Sequence, residues 1–184
     1  MLLFFFSFKT DPNWGNFLYD VTTRTTSLID FGATREYSKE FVDGYLRIVW
    51  ASANRDSQTL MDQSRRMKFL TGNENDIMLR AHELSGFTVG EPFWFHGEKG
   101  TDDQPPFDFQ KSNISTRMGE HTAVFLRHRL TPPPDEVYTL HRKLAGAYML
   151  CIKIGAVVHC RDMLETIVQK HVFDDGQPHP MEIL

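Results

Sequence analysis

Two short acidic words near the start of the chain constrain its fold more than any other feature. Asp11-Pro12-Asn13-Trp14-Gly15-Asn16 places an asparagine five positions after an aspartate, and Asp30-Phe31-Gly32 places a second aspartate nineteen positions after the first. Phosphoryl-transfer sites use this set of groups in this order. One aspartate orients the acceptor, an asparagine five residues on holds one magnesium ion, and the aspartate of a D-F-G word holds magnesium on the phosphates. The gap between the words fits a hairpin. Phe17-Leu18-Tyr19 and Thr26-Ser27-Leu28-Ile29 are β-prone runs, and Asp20 to Thr25 offers turn residues between them. A hairpin of that size returns Asp30 to the neighbourhood of Asp11 and Asn16. Either word alone is weak, and the plainer alternative is that Asp11 and Asn16 cap a turn while Asp30 ends a strand. The ordered conjunction favours the first reading.

The words around these residues carry a family resemblance. Lys9-Thr10-Asp11-Pro12-Asn13-Trp14-Gly15-Asn16-Phe17 and Leu28-Ile29-Asp30-Phe31-Gly32-Ala33-Thr34-Arg35-Glu36 closely resemble the UbiB-type (aarF-domain) atypical kinase-like family. Met67-Lys68-Phe69-Leu70-Thr71-Gly72, Leu126-Arg127-His128-Arg129-Leu130 leading into Pro132-Pro133-Pro134, and Leu140-His141-Arg142-Lys143-Leu144-Ala145-Gly146 extend it. These runs are most similar to the mitochondrial coenzyme-Q branch, and the likeness covers Lys9 to about Lys170. It implies a mainly α fold: the C-terminal (large) lobe of a protein-kinase-like structure, with a short β-hairpin between the catalytic loop and the D-F-G word, then a helical bundle. It also implies an ATPase or small-molecule kinase activity that serves coenzyme Q biosynthesis. ATP and Mg²⁺ are the implied cofactors. Asp11 is the implied catalytic carboxylate, Asn16 and Asp30 the metal ligands, and Phe31 and Gly32 complete the cofactor-binding word with them. The implied partners are nucleotide, the coenzyme Q biosynthetic complex and lipid or quinone precursors, on the matrix side of the mitochondrial inner membrane.

The chain departs from a complete kinase-like sequence in several places. No G-x-G-x-x-G, no G-x-x-x-x-G-K-[ST], no alanine-rich nucleotide loop and no Lys-x-Gly-Gln helix occurs in it. With ten residues ahead of Asp11, the expectation is a large lobe alone, residues 1–172 with the small lobe absent, followed by a Pro-rich, polar tail at 173–184 that is expected to be disordered. D-F-G runs within a few residues into Tyr37-Ser38-Lys39-Glu40-Phe41, which reads as helix, and no Ala-Pro-Glu follows. Thr10 stands where a conventional kinase has the arginine of His-Arg-Asp. A conventional protein kinase is therefore not expected. The competing reading is a catalytically inactive helical lobe that serves as an interaction or regulatory module.

Composition narrows the remaining classes. A net charge of −4 offers no electrostatic footprint for nucleic acid. Cys151 and Cys160 sit in apolar stretches and read as small core residues, without a disulfide framework. The opening Met1-Leu-Leu-Phe-Phe-Phe-Ser-Phe8 is shorter than the roughly 20 apolar residues that span a bilayer and has neither the basic start nor the cleavage site of a signal peptide. It reads instead as the last turns of a helix leading into the catalytic loop. No transmembrane segment and no transit peptide are expected in this chain.

Downstream the pattern is helical. Phe41, Tyr45, Ile48 and Ser52 share a face, broadened by Val42, Leu46 and Val49. Ser57 is the expected cap of a second helix through Leu60, Met61, Ser64, Met67 and Leu70, stopped by Gly72. A third helix is expected over 75–84, an irregular stretch over 86–110 with 97–106 the most mobile part, and further helices over 115–129, 135–154 and 161–171. The 135–154 helix should bury Val137, Leu140, Leu144, Tyr148 and Cys151. His121 and His128 read as surface or capping residues rather than a metal pair, and the basic runs at Arg65-Arg66 and His141-Arg142-Lys143 as solvated helix faces.

Overall fold

The structure, a computed structural model, describes residues 7–9, 15, 17–29, 34–95 and 105–182. Two antiparallel ribbons come first. Ser7–Lys9 (β1) pairs with Thr34–Glu36 (β4), and Phe17–Asp20 (β2) pairs with Thr25–Leu28 (β3). Ser7 and Phe8 thus belong to a strand rather than to the end of a helix, because three consecutive residues match the register of β4. The hairpin turn is self-supporting: Asp20 Oδ1 accepts the amides of Thr22 at 2.8 Å and Thr23 at 3.3 Å.

Among the described residues seven α-helices follow: Lys39–Ala53 (α1), Ser57–Arg66 (α2), Asp76–Gly90 (α3), Ile114–Gly119 (α4), Thr122–His128 (α5), Asp135–Lys153 (α6) and Cys160–Lys170 (α7). A short ribbon pairs Phe107–Asp108 (β5) with Val157–Val158 (β6). Side-chain caps set the starts of the first three helices. Ser38 accepts from Phe41 N, Asp56 from Thr59 N and Asn75 from Met78 N. Asp56, not Ser57, is therefore the cap of α2.

Two departures from the sequence pattern have clear causes. α3 runs through Gly86 to Gly90 instead of stopping near 84, because these glycines let α3 approach its neighbours. A Cβ on Gly86 would meet Leu60 Cδ2 at 3.0 Å, and one on Gly90 would meet the Ser52 carbonyl carbon at 2.6 Å. Conversely, the helix expected over 115–129 breaks into α4 and α5 after Gly119, where no Cβ contact would arise to offset the weak helix propensity of glycine.

The core forms two clusters joined by Phe93. Leu46, Trp50, Ala53, Leu164 and Val168 make one; Phe109, Ile114, Tyr148 and Cys160 make the other, with Cys151 and Leu144 packed against it. Both cysteines therefore lie in apolar surroundings, and burial raises both thiols, Cys160 to about 11. In α6, Val137 and Tyr148 are fully buried, whereas Leu140, Leu144 and Cys151 are half-buried.

α1 buries Leu46 and Ser52 of the expected stripe, but charged residues lie as deep. Asp43 and Arg47 are 1 % and 2 % exposed, while Phe41, Tyr45 and Ile48 are only half-buried. The reason is the segment after α7, expected as a disordered tail, which instead lies across α1 as a strap. Arg47 holds both oxygens of Asp175, through Nε at 2.5 Å and Nη2 at 2.9 Å, and donates to the carbonyl of Pro178 at 2.9 Å. Its guanidinium lies 4.5 Å above the Phe173 ring. Asp43 receives the amide of Asp174 at 3.0 Å, with His171 Nε2 and Lys39 Nζ each 2.5 Å away. Trp50 Nε1 donates to the carbonyl of Pro180 at 3.0 Å. Polar and Pro-rich composition marks this segment as solvent-loving in isolation. Its charges match those on α1.

His82 on α3 carries a second buried polar contact, its Nε2 2.8 Å from the hydroxyl of Ser64, which is 0 % exposed. Burial, aided by the charge of Arg129 and by His141 and opposed by Glu74, pushes the imidazole down to about 4.

Gly90→Ala is expected to lose about 3 kcal/mol of stability in urea denaturation, because the new methyl group meets backbone that cannot step aside. A pH series checks His82. Its folded-state pKa lies below the unfolded value, so the folded state resists a proton that the unfolded chain accepts. Stability should be level above pH 6.5 and fall by about 2 kcal/mol as the pH drops to about 4. His82→Gln should make that limb shallower, the remainder coming from His141, whose imidazole is also held below its ordinary value by desolvation and by Arg129. The further loss below pH 4 should remain, because Asp43, Glu74 and Asp175 are held below the ordinary carboxylate range in the folded state.

Candidate functional site

The residues of the two acidic words, Asp11, Asn16, Asp30, Phe31 and Gly32, lie outside the described residues. The strands that frame them are described, and their registers locate the ends of both loops. Lys9 is paired with Thr34, so the chain leaves β1 and enters β4 at one place. Phe17 is paired with Leu28, so the chain enters β2 and leaves β3 at another. The Asp11–Asn16 segment and the Asp30–Gly32 segment therefore span the same two endpoints. Slipping either register by one residue would stagger the loop ends and turn alternate side chains to opposite faces.

The donor set suits a hard divalent cation. Magnesium takes oxygen ligands and binds through one or two carboxylates plus phosphate oxygens. Asp30 and Asn16 supply a carboxylate and an amide carbonyl. Among the described residues, no group of three His, Cys, Asp or Glu side chains is placed to hold a metal ion. His128 has another role: its Nδ1 lies 3.1 Å from Asn75 Nδ2, which ties the end of α5 to the cap of α3. His121 precedes α5 and makes no side-chain cap bond. In the basic run of α6, His141 and Arg142 are exposed, but Lys143 is half-buried and burial lowers its ammonium pKa, so that run is not a uniformly solvated face.

The ribbons join the helical body through Tyr37 and Ser38. Tyr37 is 4 % exposed, and its hydroxyl lies 2.6 Å from Thr139 Oγ1 at the start of α6. Sequence reasoning missed Tyr37, Thr139, Lys39 and Asp43 as anchors of this junction. The one available signal was the Ser38-Lys39-Glu40 start of α1, immediately after the acidic words. By contrast the hairpin stands in solvent, with Leu18, Tyr19, Val21 and Ile29 at 54–78 % exposure. Among the described residues, no helix is long and apolar enough to cross a membrane.

A mainly helical body preceded by small two-stranded ribbons is consistent with the C-terminal lobe of an atypical kinase fold. Comparison with known proteins agrees. The model of the ABC1 atypical kinase-like domain matches residues 1–64. The chain is 41 % identical to the mitochondrial atypical kinase COQ8B of Rattus norvegicus, over 92 % of this chain and 31 % of that protein. It is 39 % identical to the mitochondrial atypical kinase COQ8 of Schizosaccharomyces pombe, over 90 % of this chain and 26 % of that protein. It is also 39 % identical to the COQ8 of Saccharomyces cerevisiae, over 86 % and 30 %. The chain belongs to the ABC1 atypical kinase-like family, with the COQ8 kinases as its homologues. It spans less than a third of the length of these curated relatives.

Proposed function

We propose that the chain is the magnesium- and nucleotide-binding large lobe of an atypical kinase-like ATPase that supports coenzyme Q biosynthesis in mitochondria, on the matrix side of the inner membrane. What supports this reading is that the strands flanking the two acidic words are paired, Lys9 with Thr34 and Phe17 with Leu28. The family and the mitochondrial designation of the relatives support the setting.

Asp11 orients the acceptor and takes up its proton. Asn16 and Asp30 would hold the magnesium ion, with Phe31 and Gly32 completing the cofactor-binding word. The ion, when bound, supplies charge neutralisation on the β- and γ-phosphate oxygens. Acceptors on this reading are small molecules such as lipid or quinone precursors, within reach of the coenzyme Q biosynthetic complex. A second reading, an interaction or regulatory lobe without turnover of its own, is favoured by the apolar side chains that the hairpin presents to solvent.

Asp30→Asn is expected to weaken magnesium-dependent ADP binding at least about tenfold in a calorimetric titration, since a ligating carboxylate is lost. The melting temperature without nucleotide should stay level. Equal binding by the variant and the native chain would refute the assignment. Turnover of ATP by the purified chain would exclude the second reading.

A further inference from the structure

The two ribbons meet the helical body at a short junction, and that junction is tied to the far end of the chain. β4 ends at Glu36 and α1 begins at Lys39. The Lys39 ammonium donates to Asp43 Oδ1 and to the carbonyl of Val172, each at 2.5 Å. Asp43, one turn on and 1 % exposed, also meets His171 Nε2 at 2.5 Å and the Asp174 amide at 3.0 Å. A helix does not need a buried carboxylate here, since an apolar residue of similar volume avoids the desolvation cost. What three donors converging on one carboxylate add is direction. They set the rotation of the first turn of α1 about its axis, and that rotation passes through Tyr37 and Ser38 into β4. From β4 it reaches β1 through the Ser7–Glu36, Phe8–Arg35 and Lys9–Thr34 pairs.

We propose that Asp43 is a positioning residue for the β1–β4 ribbon, holding β4 and β1 in place by clamping the start of α1 to the strap at His171–Asp174. Its bearing on function rests on the reading of the acidic words as a magnesium–nucleotide site. Asp43 acts through the turn of helix that β4 leads into.

The test uses the full chain with variants on both sides of the clamp. Asp43→Asn keeps the shape and removes the charge, while His171→Ala removes a donor 128 residues away in sequence. Amide hydrogen exchange at pH 7 is expected to rise about tenfold in β1 and β4 in both variants, with α3 unchanged, because the lost charge-assisted bonds govern local opening there. His171→Gln, whose amide still reaches Asp43, should restore native exchange in the ribbons. Leu164→Ala, a core truncation at a residue 3 % exposed, should lower the melting temperature without a selective change in the ribbons. Ribbon exchange that rises no more than that of α3, or equally in Leu164→Ala, overturns the proposal. Magnesium–ADP affinity gives a second reading: it should weaken in Asp43→Asn and hold in Leu164→Ala. Unchanged affinity in Asp43→Asn beside a native chain that binds also overturns the proposal. If the native chain binds no nucleotide, the site assignment fails on its own, and the exchange pattern still decides whether Asp43 holds the ribbons.

Discussion

Asp43 and Arg47 lie one turn apart on α1, carry opposite charges and are both sealed from water, yet they do not neutralise each other. Each is satisfied by the strap, Asp43 through His171 and the Asp174 amide and Arg47 through Asp175 and the Pro178 carbonyl. Taking an ion out of water costs several kcal/mol, and removing one member of a buried pair leaves that cost uncompensated. α1 and the strap therefore order together. The strap covers both charges and supplies most of their partners, so the buried face of α1 depends on it. Phe173 makes the same coupling apolar, since its ring lies under Arg47 and also packs against the Trp50–Leu164 cluster.

The rest of the body is arranged around that helix by close approach. Gly90 lets α3 come within backbone contact of Ser52, and the turn after α3 delivers Phe93 to the seam between the two core clusters. Arg161 closes the same corner from α7. It bonds Asn54 at 3.0 Å and Glu165 at 2.6 Å while its guanidinium lies 4.6 Å above the Trp50 ring. Trp50 is thereby held on one side by an arginine and at its indole nitrogen by the strap. A single helix thus connects α3, α7 and the C-terminal segment.

Much of this was legible in the sequence wherever the signal is local. The hairpin follows from β-prone runs on either side of an Asx turn, and the strands begin and end within a residue or so of the expected places. Ser38 and Asn75 announce helix starts through their own side chains. Signals that depend on distant partners were not legible. Asp43 and Arg47 gave no signal of burial because their strap partners lie 128 residues or more along the chain. Residues 173–182 read as disordered for the same reason, since a polar segment gains order only from a surface already charged to receive it. Gly86 reads as a helix stop until Leu60 is seen against it. The acidic words themselves were read from spacing, and the residues of the words lie outside what the structure describes.

The hairpin stands apart from the helical body, its apolar residues exposed. A two-stranded ribbon is marginal in water by itself, and β2 and β3 expose apolar residues on both faces, Leu18 and Tyr19 being adjacent in sequence. Its conformation comes from its turn, where Asp20 caps two amides and Arg24 takes the left-handed conformation at φ 52°. Its position comes from the other end, where β4 runs into the buried Tyr37. Between these two supports the described residues are held by two strand registers and one helix start.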